Sequence, residues 1–255
     1  MLSAAVLITA QGRDDSLSRC LEPLIRQADD LRGEGLCSFD YYIGSPSGGP
    51  GAGEFLPERF PEVKIVRWDG ADGWCDSMRH VWKSASEAAE YDFFLWVDPE
   101  IELADGALGT IMETSALLRN KAVVAGSVCS GDGTLVGGGR TSNGRLISPD
   151  VSVPVPCASF DGALVLVPGT AYEALGSIDG LFHDGGGDFD YGIRAGRKGI
   201  LRVIAPGTIA LRRHPALPRS LTGRERFVLD RRSRGVFYAA LHPVLDFAVR
   251  LLRRR

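Results

Sequence analysis

Four short apolar runs, each ending in polar or glycine-containing sequence, constrain the fold most. Ala5-Val6-Leu7-Ile8-Thr9, Tyr41-Tyr42-Ile43-Gly44, Val63 to Trp68 and Phe93 to Val97 read as strands. Between the first two, Leu17, Cys20, Leu21 and Leu24 recur at helical spacing, and Asp14, Asp15 or Ser16 can cap that helix. Between the last two, a helix from Asp76 to Ala88 gathers Met78, Val81, Trp82 and Ala85 on one face. This β-α-β-β-α-β order predicts an α/β fold with a mostly parallel, helix-covered sheet. Such sheets bind ligands at the carboxyl ends of their strands, so Asp98, which ends the fourth run, is expected in a binding crevice.

The second half is less regular. Ala122 to Gly126 and Ala163 to Val167 read as strands, and Thr170 to Leu175 and Tyr191 to Arg197 as helices, with Gly199 closing the last. Ser45 to Gly51, Gly137 to Gly139 and Gly185 to Gly187 read as loops. With no internal repeat and no long linker, 255 residues fit one domain. No apolar run reaches the ~18–20 residues that span a bilayer. The N-terminus lacks a basic region, so no signal peptide is expected. The five cysteines are scattered, without a Cys-x-x-Cys pair, which argues against a disulfide framework or a zinc site and makes the cytosol the default compartment.

Charge is distributed unevenly. From Leu211 to Arg255 there are twelve arginines against Glu225, Asp230 and Asp246, yet the whole chain carries −3. A basic tail on an acidic body predicts an anionic partner for the tail. Arg224 to Arg255 reads as two helical segments broken near His242-Pro243, the second apolar with a terminal arginine cluster. It suits either packing on the domain or peripheral contact with anionic lipid. No recognised motif or stacking aromatics accompany these arginines, so nucleic acid is not expected as a partner.

Two acidic groups stand out. Asp98, Glu100 and Glu102 follow the fourth strand; carboxylates at such an end can share a hard cation, or simply mark where the chain meets water. Asp188-Phe189-Asp190 follows three glycines that permit close backbone approach to a ligand. Asp188 stands at a helix start, where it serves either as a cap or as a functional carboxylate. His214 follows the strand-like Thr208 to Leu211, and His183 is a weaker candidate metal ligand.

In order and spacing these segments resemble family-2 inverting glycosyltransferases of GT-A fold, of the bacterial polysaccharide and rhamnosyltransferase-like kind. Ala5 to Leu24 looks like the opening strand, turn and first helix of that family. DGADGWCDSMRHVW at 69–82 is similar to its Trp and Gly-Met-Arg stretch, and LWVDPEIEL at 95–103 to its acidic motif. GTLVGGGR at 133–140 resembles its glycine-rich hairpin, and FDGALVLVPGTAYEALGSIDGLFHDGGGDFDYGIRAGRKG at 160–199 is the most specific match.

The resemblance implies a nucleotide-sugar donor, UDP- or dTDP-linked, a glycan or lipid-linked acceptor, and a divalent metal, Mn2+ or Mg2+. It assigns the metal to Asp98, Glu100 and His214, and the catalytic base to Asp188. Donor contacts fall on Thr9, Gln11, Arg13, Asp69, Trp74, Arg79 and Asp98; acceptor contacts fall on Gly187, Asp190 and Arg194. It further implies a donor-binding half over 1–103, an acceptor-binding half over 104–220 and a basic helical segment over 221–255, at the cytoplasmic side of a cell membrane.

Two positions depart from the family. No acid follows Ile43-Gly44, where an Asp usually contacts the nucleotide, and Asp69 or Asp72 is the substitute at hand. The acidic motif carries Pro99 and ends in Glu100. A nucleotidyltransferase is the first rival, but Gln11-Gly12-Arg13 is short for a triphosphate loop. A non-catalytic sugar-nucleotide-binding homologue is the second. No Gly-x-Gly-x-x-Gly follows the first strand, which disfavours a NAD-dependent reductase.

Overall fold

The structure, a computed structural model, describes residues 1–10, 14–47, 56, 58–70, 73–215 and 219–234. Its strands are β1 (Leu2–Thr9), β2 (Cys37–Ser47), β3 (Val63–Asp69), β4 (Phe93–Val97), β5 (Ile101–Leu103) and β6 (Val123–Ser130), then β7 (Leu135–Gly137), β8 (Gly139–Arg140), β9 (Val155–Pro156), β10 (Ser159–Phe160), β11 (Leu164–Pro168) and β12 (Arg202–Arg212). Its helices are α1 (Asp14–Gly33), α2 (Trp74–Ala88), α3 (Ala107–Leu117), α4 (Gly169–Leu175), α5 (Gly187–Arg197) and α6 (Gly223–Arg234).

The main sheet runs β3-β2-β1-β4-β11-β6-β12-β5, with β7 beside β6 and β9 beside β12. β1 to β4 pair in parallel, as the alternation of strand and helix patterns predicts. β11 is inserted antiparallel between β4 and β6. The apolar runs are unbroken because both faces of the sheet are covered. Ala4, Val6 and Ile8 of β1 pack with Leu17, Leu21 and Leu24 of α1 on one side, while Ala5 and Leu7 meet Met78, Val81 and Trp82 of α2 on the other. Trp82 is fully buried and touches Phe94, Trp96, Tyr172 and Tyr191, so α2, β4, α4 and α5 share one aromatic core.

Three local expectations are corrected. β2 does not stop at Gly44 but continues through Ser45-Pro46-Ser47, paired with β3. β1 ends opposite Gly44, so beyond that point β2 has lost its neighbour on one side, which is where a proline is tolerated in a sheet. Gly187 belongs to α5 rather than to a loop, and Gly137 and Gly139 lie in β7 and β8. Ser16 lies inside α1 and does not cap it; its hydroxyl instead donates to Glu100 Oε2 at 3.1 Å. Among the described residues no helix is long and apolar enough to cross a membrane. The expected helix and arginine cluster at Val244 to Arg255 lie outside the described residues.

Helix α5 is seated on β10 by Gly192. A Cβ there would stand 2.8 Å from Ser159 Cα, a backbone atom that cannot swing aside. Ser159 Oγ in turn donates to the Phe189 carbonyl at 2.5 Å, so this contact fixes the first turn of α5. Gly192→Ala should therefore cost about 1–3 kcal/mol through overpacking. A thermal melt should show Tm lower by several degrees, and an unchanged Tm would refute this account of the seating.

Candidate functional site

The crevice lies at the carboxyl ends of β1 and β4, where Thr9 and Asp98 are both buried. Asp98 begins a tight turn into β5. Its Oδ1 accepts the Glu100 N–H at 2.9 Å, and its carbonyl accepts the Ile101 N–H at 3.2 Å. A short Asp side chain closing onto the backbone two residues ahead is the usual device for such a turn. β5 then pairs antiparallel with β12, Ile101 opposite Arg212, and this register brings Arg212 alongside Asp98. Arg212 Nη2 lies 2.9 Å from Asp98 Oδ2, with both side chains about nine-tenths buried.

Asp188 is the second residue of α5 and is 8% exposed. It is not the cap, since Gly186 occupies that position without a side-chain bond. Its Oδ2 accepts the Gly162 N–H at 2.8 Å and its Oδ1 the Phe189 N–H at 2.8 Å. Gly162 is constrained by Trp74, whose ring would meet a Cβ there at 2.7 Å. The backbone can thus reach Asp188 only because position 162 has no side chain.

Arg219 joins the two acids. Its Nη1 is 3.3 Å from Asp188 Oδ2, its Nη2 is 3.6 Å from Asp98 Oδ2, and its guanidinium lies 4.0 Å from the centre of the Trp74 ring. Local sequence explains why Arg219 is held there. Asp184 accepts the Trp74 N–H at 3.2 Å, the Ser220 N–H at 2.6 Å and the Ser220 hydroxyl at 3.1 Å. Burial would raise the Asp184 carboxyl, but these backbone bonds, the Ser220 hydroxyl and the nearby Arg219 outweigh it and hold the group below the ordinary carboxylate range. Thr222 and Glu225 then form a reciprocal capping box at the start of α6, and Glu225 also accepts the His183 N–H at 2.9 Å.

Behind Asp188 sits Asp161, which receives the Gly138 N–H at 2.8 Å and Arg140 at 3.4 Å. Burial raises its carboxyl above the ordinary value, opposed by Arg140 and reinforced by the charge of Asp188. Cys75 also borders the crevice. Burial, aided by Asp188, pushes its thiol up to about 12, so it stays protonated and donates to the Asp184 carbonyl.

Several expected donor and acceptor contacts are spent elsewhere. Arg79 is tied to the carbonyls of Asp179 and Phe182 and to Asp76, bracing α2 against the loop before α5. Asp190 has no exposed surface and pairs with Arg194 and Arg232, each at 2.8 Å. Arg194 also binds the carbonyls of Leu175 and Ser177. Gly187 is buried against Cys75 and Ile178. Asp69 ends β3 in an exposed position, and Trp74 lines the crevice under Arg219. Gln11, Arg13 and Asp72 lie outside the described residues.

The expected metal ligands do not converge. Both oxygens of Asp98 are engaged, by Arg212 with Arg219 and by the Glu100 amide. Glu100 and His214 instead share a crevice of about 10 Å³ with Ser16, Glu102 and two arginines, Arg19 and Arg213. Among the described residues no group of three His, Cys, Asp or Glu is arranged to hold an ion. As arranged, this donor set does not fit a divalent metal. The residues missed from the sequence are Arg212, Arg219, Asp161 and Asp184. The surplus of arginine after Leu211 is the signal for Arg212 and Arg219, although by itself it suggests an external anion; Asp161 and Asp184 carry no such signal.

The burial of Asp190 makes its role a structural one that can be checked. Asp190→Ala leaves two arginines facing a vacated, dry position and should cost about 3–5 kcal/mol. Thermal melts should show a large fall in Tm; a variant of unchanged Tm with weakened acceptor binding would restore the acceptor role.

No family model matches the chain, and no curated protein matches it. Among solved structures it is similar to the crystal structure of GalNAc-T7 with UDP, GalNAc and Mn2+, with a TM-score of 0.60 and 14% identity. The match covers 85% of this chain and 44% of that one, so the chain spans less than half the length of that protein. At this identity the likeness establishes the fold, which is the GT-A type of α/β arrangement.

Proposed function

We propose that the chain is a glycosyltransferase that moves a sugar from a nucleotide-sugar donor to a hydroxyl of a glycan or lipid-linked acceptor. The observation that carries this reading is Asp188, a nearly buried carboxylate fixed at the mouth of α5 and facing Asp98 across the crevice. The GT-A fold, whose neighbour was solved with UDP and GalNAc, supports the donor class. UDP or dTDP is the nucleotide this reading favours, and a hexosyl or rhamnosyl group its cargo, for cell-surface polysaccharide at the cytoplasmic side of the membrane.

An acceptor hydroxyl is a weak nucleophile and needs a carboxylate within hydrogen-bond reach. Asp188 takes the proton as the hydroxyl oxygen attacks the anomeric carbon. The bond from that carbon to the diphosphate oxygen breaks on the opposite face, and the diphosphate departs with the electron pair. The configuration inverts. Two backbone N–H groups hold the Asp188 carboxylate in place, so its orientation is set before substrate arrives. Residues 1–103 supply the donor side in this reading and 104–220 the acceptor side, with 221–255 as a basic appendage.

Asp188→Asn keeps the shape and the bond from Gly162 but removes the base. Transfer or hydrolysis of the accepted nucleotide-sugar should fall by roughly 10²–10⁴-fold with little change in circular dichroism. Turnover equal to that of the unaltered chain would rule out Asp188 as the base.

A further inference from the structure

The group that leaves in such a reaction is a diphosphate, and its growing charge must meet a positive one. The position where the sequence leads one to expect a metal is filled by arginine. Arg212 and Arg219 both reach Asp98 Oδ2, and Arg219 spans on to Asp188. Arg212 has a further donor, Nη1, that is buried and, among the described residues, has no hydrogen-bond partner. A guanidinium N–H with no acceptor inside a protein is costly, and such a group calls for a ligand oxygen. Both arginines lie at Asp98, at the end of β4, and Arg219 also stacks on the Trp74 ring.

We propose that Arg212 and Arg219 form a guanidinium clamp for the diphosphate of a nucleoside diphosphate or its sugar, in place of a divalent metal. This rests on the transferase reading. Guanidinium suits a diphosphate because it is charged at every physiological pH and presents paired donors that match phosphate oxygens. Trp74 holds the Arg219 plane from below, and Asp184 anchors the neighbouring Ser220, so the cation is positioned before the ligand arrives. Arg219 contributes the adjustable half of the clamp, since its side chain is 26% exposed while that of Arg212 is 7% exposed.

The test is calorimetric titration of the full chain with UDP, dTDP and GDP, in EDTA and in Mn2+, for the unaltered protein, Arg219→Gln and Arg219→Lys. One nucleotide should bind in EDTA within about threefold of its affinity in Mn2+. Arg219→Gln should weaken it roughly tenfold to a hundredfold, and Arg219→Lys by less. The preference for that diphosphate over its monophosphate should shrink in Arg219→Gln, which a merely structural role would not produce. Circular dichroism checks that the variants are folded, and Arg219→Lys keeps the charge should the Gln variant disturb its segment. A requirement for Mn2+ overturns the clamp, as does binding indifferent to Arg219→Gln, while either leaves the transferase reading standing. Binding of no nucleotide by the folded chain, with or without Mn2+, overturns the transferase reading and the clamp with it.

Discussion

A carboxylate can be taken out of water only against a partner charge or a set of hydrogen bonds, and this constraint organises the binding end of the molecule. Asp98, Asp188 and Asp190 are buried there, and Asp161 is partly so. Each meets arginine: Asp98 meets Arg212, Asp98 and Asp188 share Arg219, Asp190 meets Arg194 and Arg232, and Asp161 meets Arg140. Arg212, Arg219 and Arg232 come from the last third of the chain, while Asp98 lies near its middle. Closing the sheet with β12 and laying α6 over α5 are therefore also the steps that neutralise the crevice. The uneven charge of the sequence finds part of its explanation here, since the acidic body is itself the partner of Arg212, Arg213, Arg219 and Arg232.

How far the sequence revealed this depends on the range of the interaction. β1, β4 and β11 were visible because both faces are buried and the residues are apolar without interruption. α1 and α2 were visible through helical spacing. The continuation of β2 through Pro46 was not, because it depends on β1 ending opposite Gly44 and on β3 continuing beyond it. β5, three residues long, carries no periodicity of its own and exists by pairing with β12. Asp98 and Asp188 could be singled out by position, one at a strand end and one at a helix start. The arginines that complete them could not, since Arg212 arrives by register and Arg219 through Asp184 and a capping box.

Arg79, Asp190 and Arg194 show the opposite failure. Each occupies a family-like motif, and each is spent on holding elements together. Arg79 fastens α2 to two carbonyls, Asp190 clamps α5 to α6 through Arg232, and Arg194 ties α5 to the carbonyls of Leu175 and Ser177. Motif resemblance singled out Asp188 and Asp190 alike, although Asp188 meets Arg219 at the crevice and Asp190 is closed into the contact between α5 and α6. Burial separates them: Asp188 keeps a small exposed area, and Asp190 keeps none.

An arginine clamp and a metal differ in what the empty site must do. A metal can be absent until it arrives with its ligand, whereas a guanidinium is always present and must be paired in the meantime. In this structure Arg219 is paired with the very carboxylate proposed as base. Under the proposed clamp, a diphosphate that draws Arg219 to itself releases Asp188 from that contact in the same event. In that reading the exchange trades charge-assisted contacts with two carboxylates for charge-assisted contacts with phosphate, and it couples donor occupancy to the release of Asp188. The proposed clamp would thereby keep Asp188 occupied until a donor is bound, an ordering that a metal held by Asp98 alone would not impose.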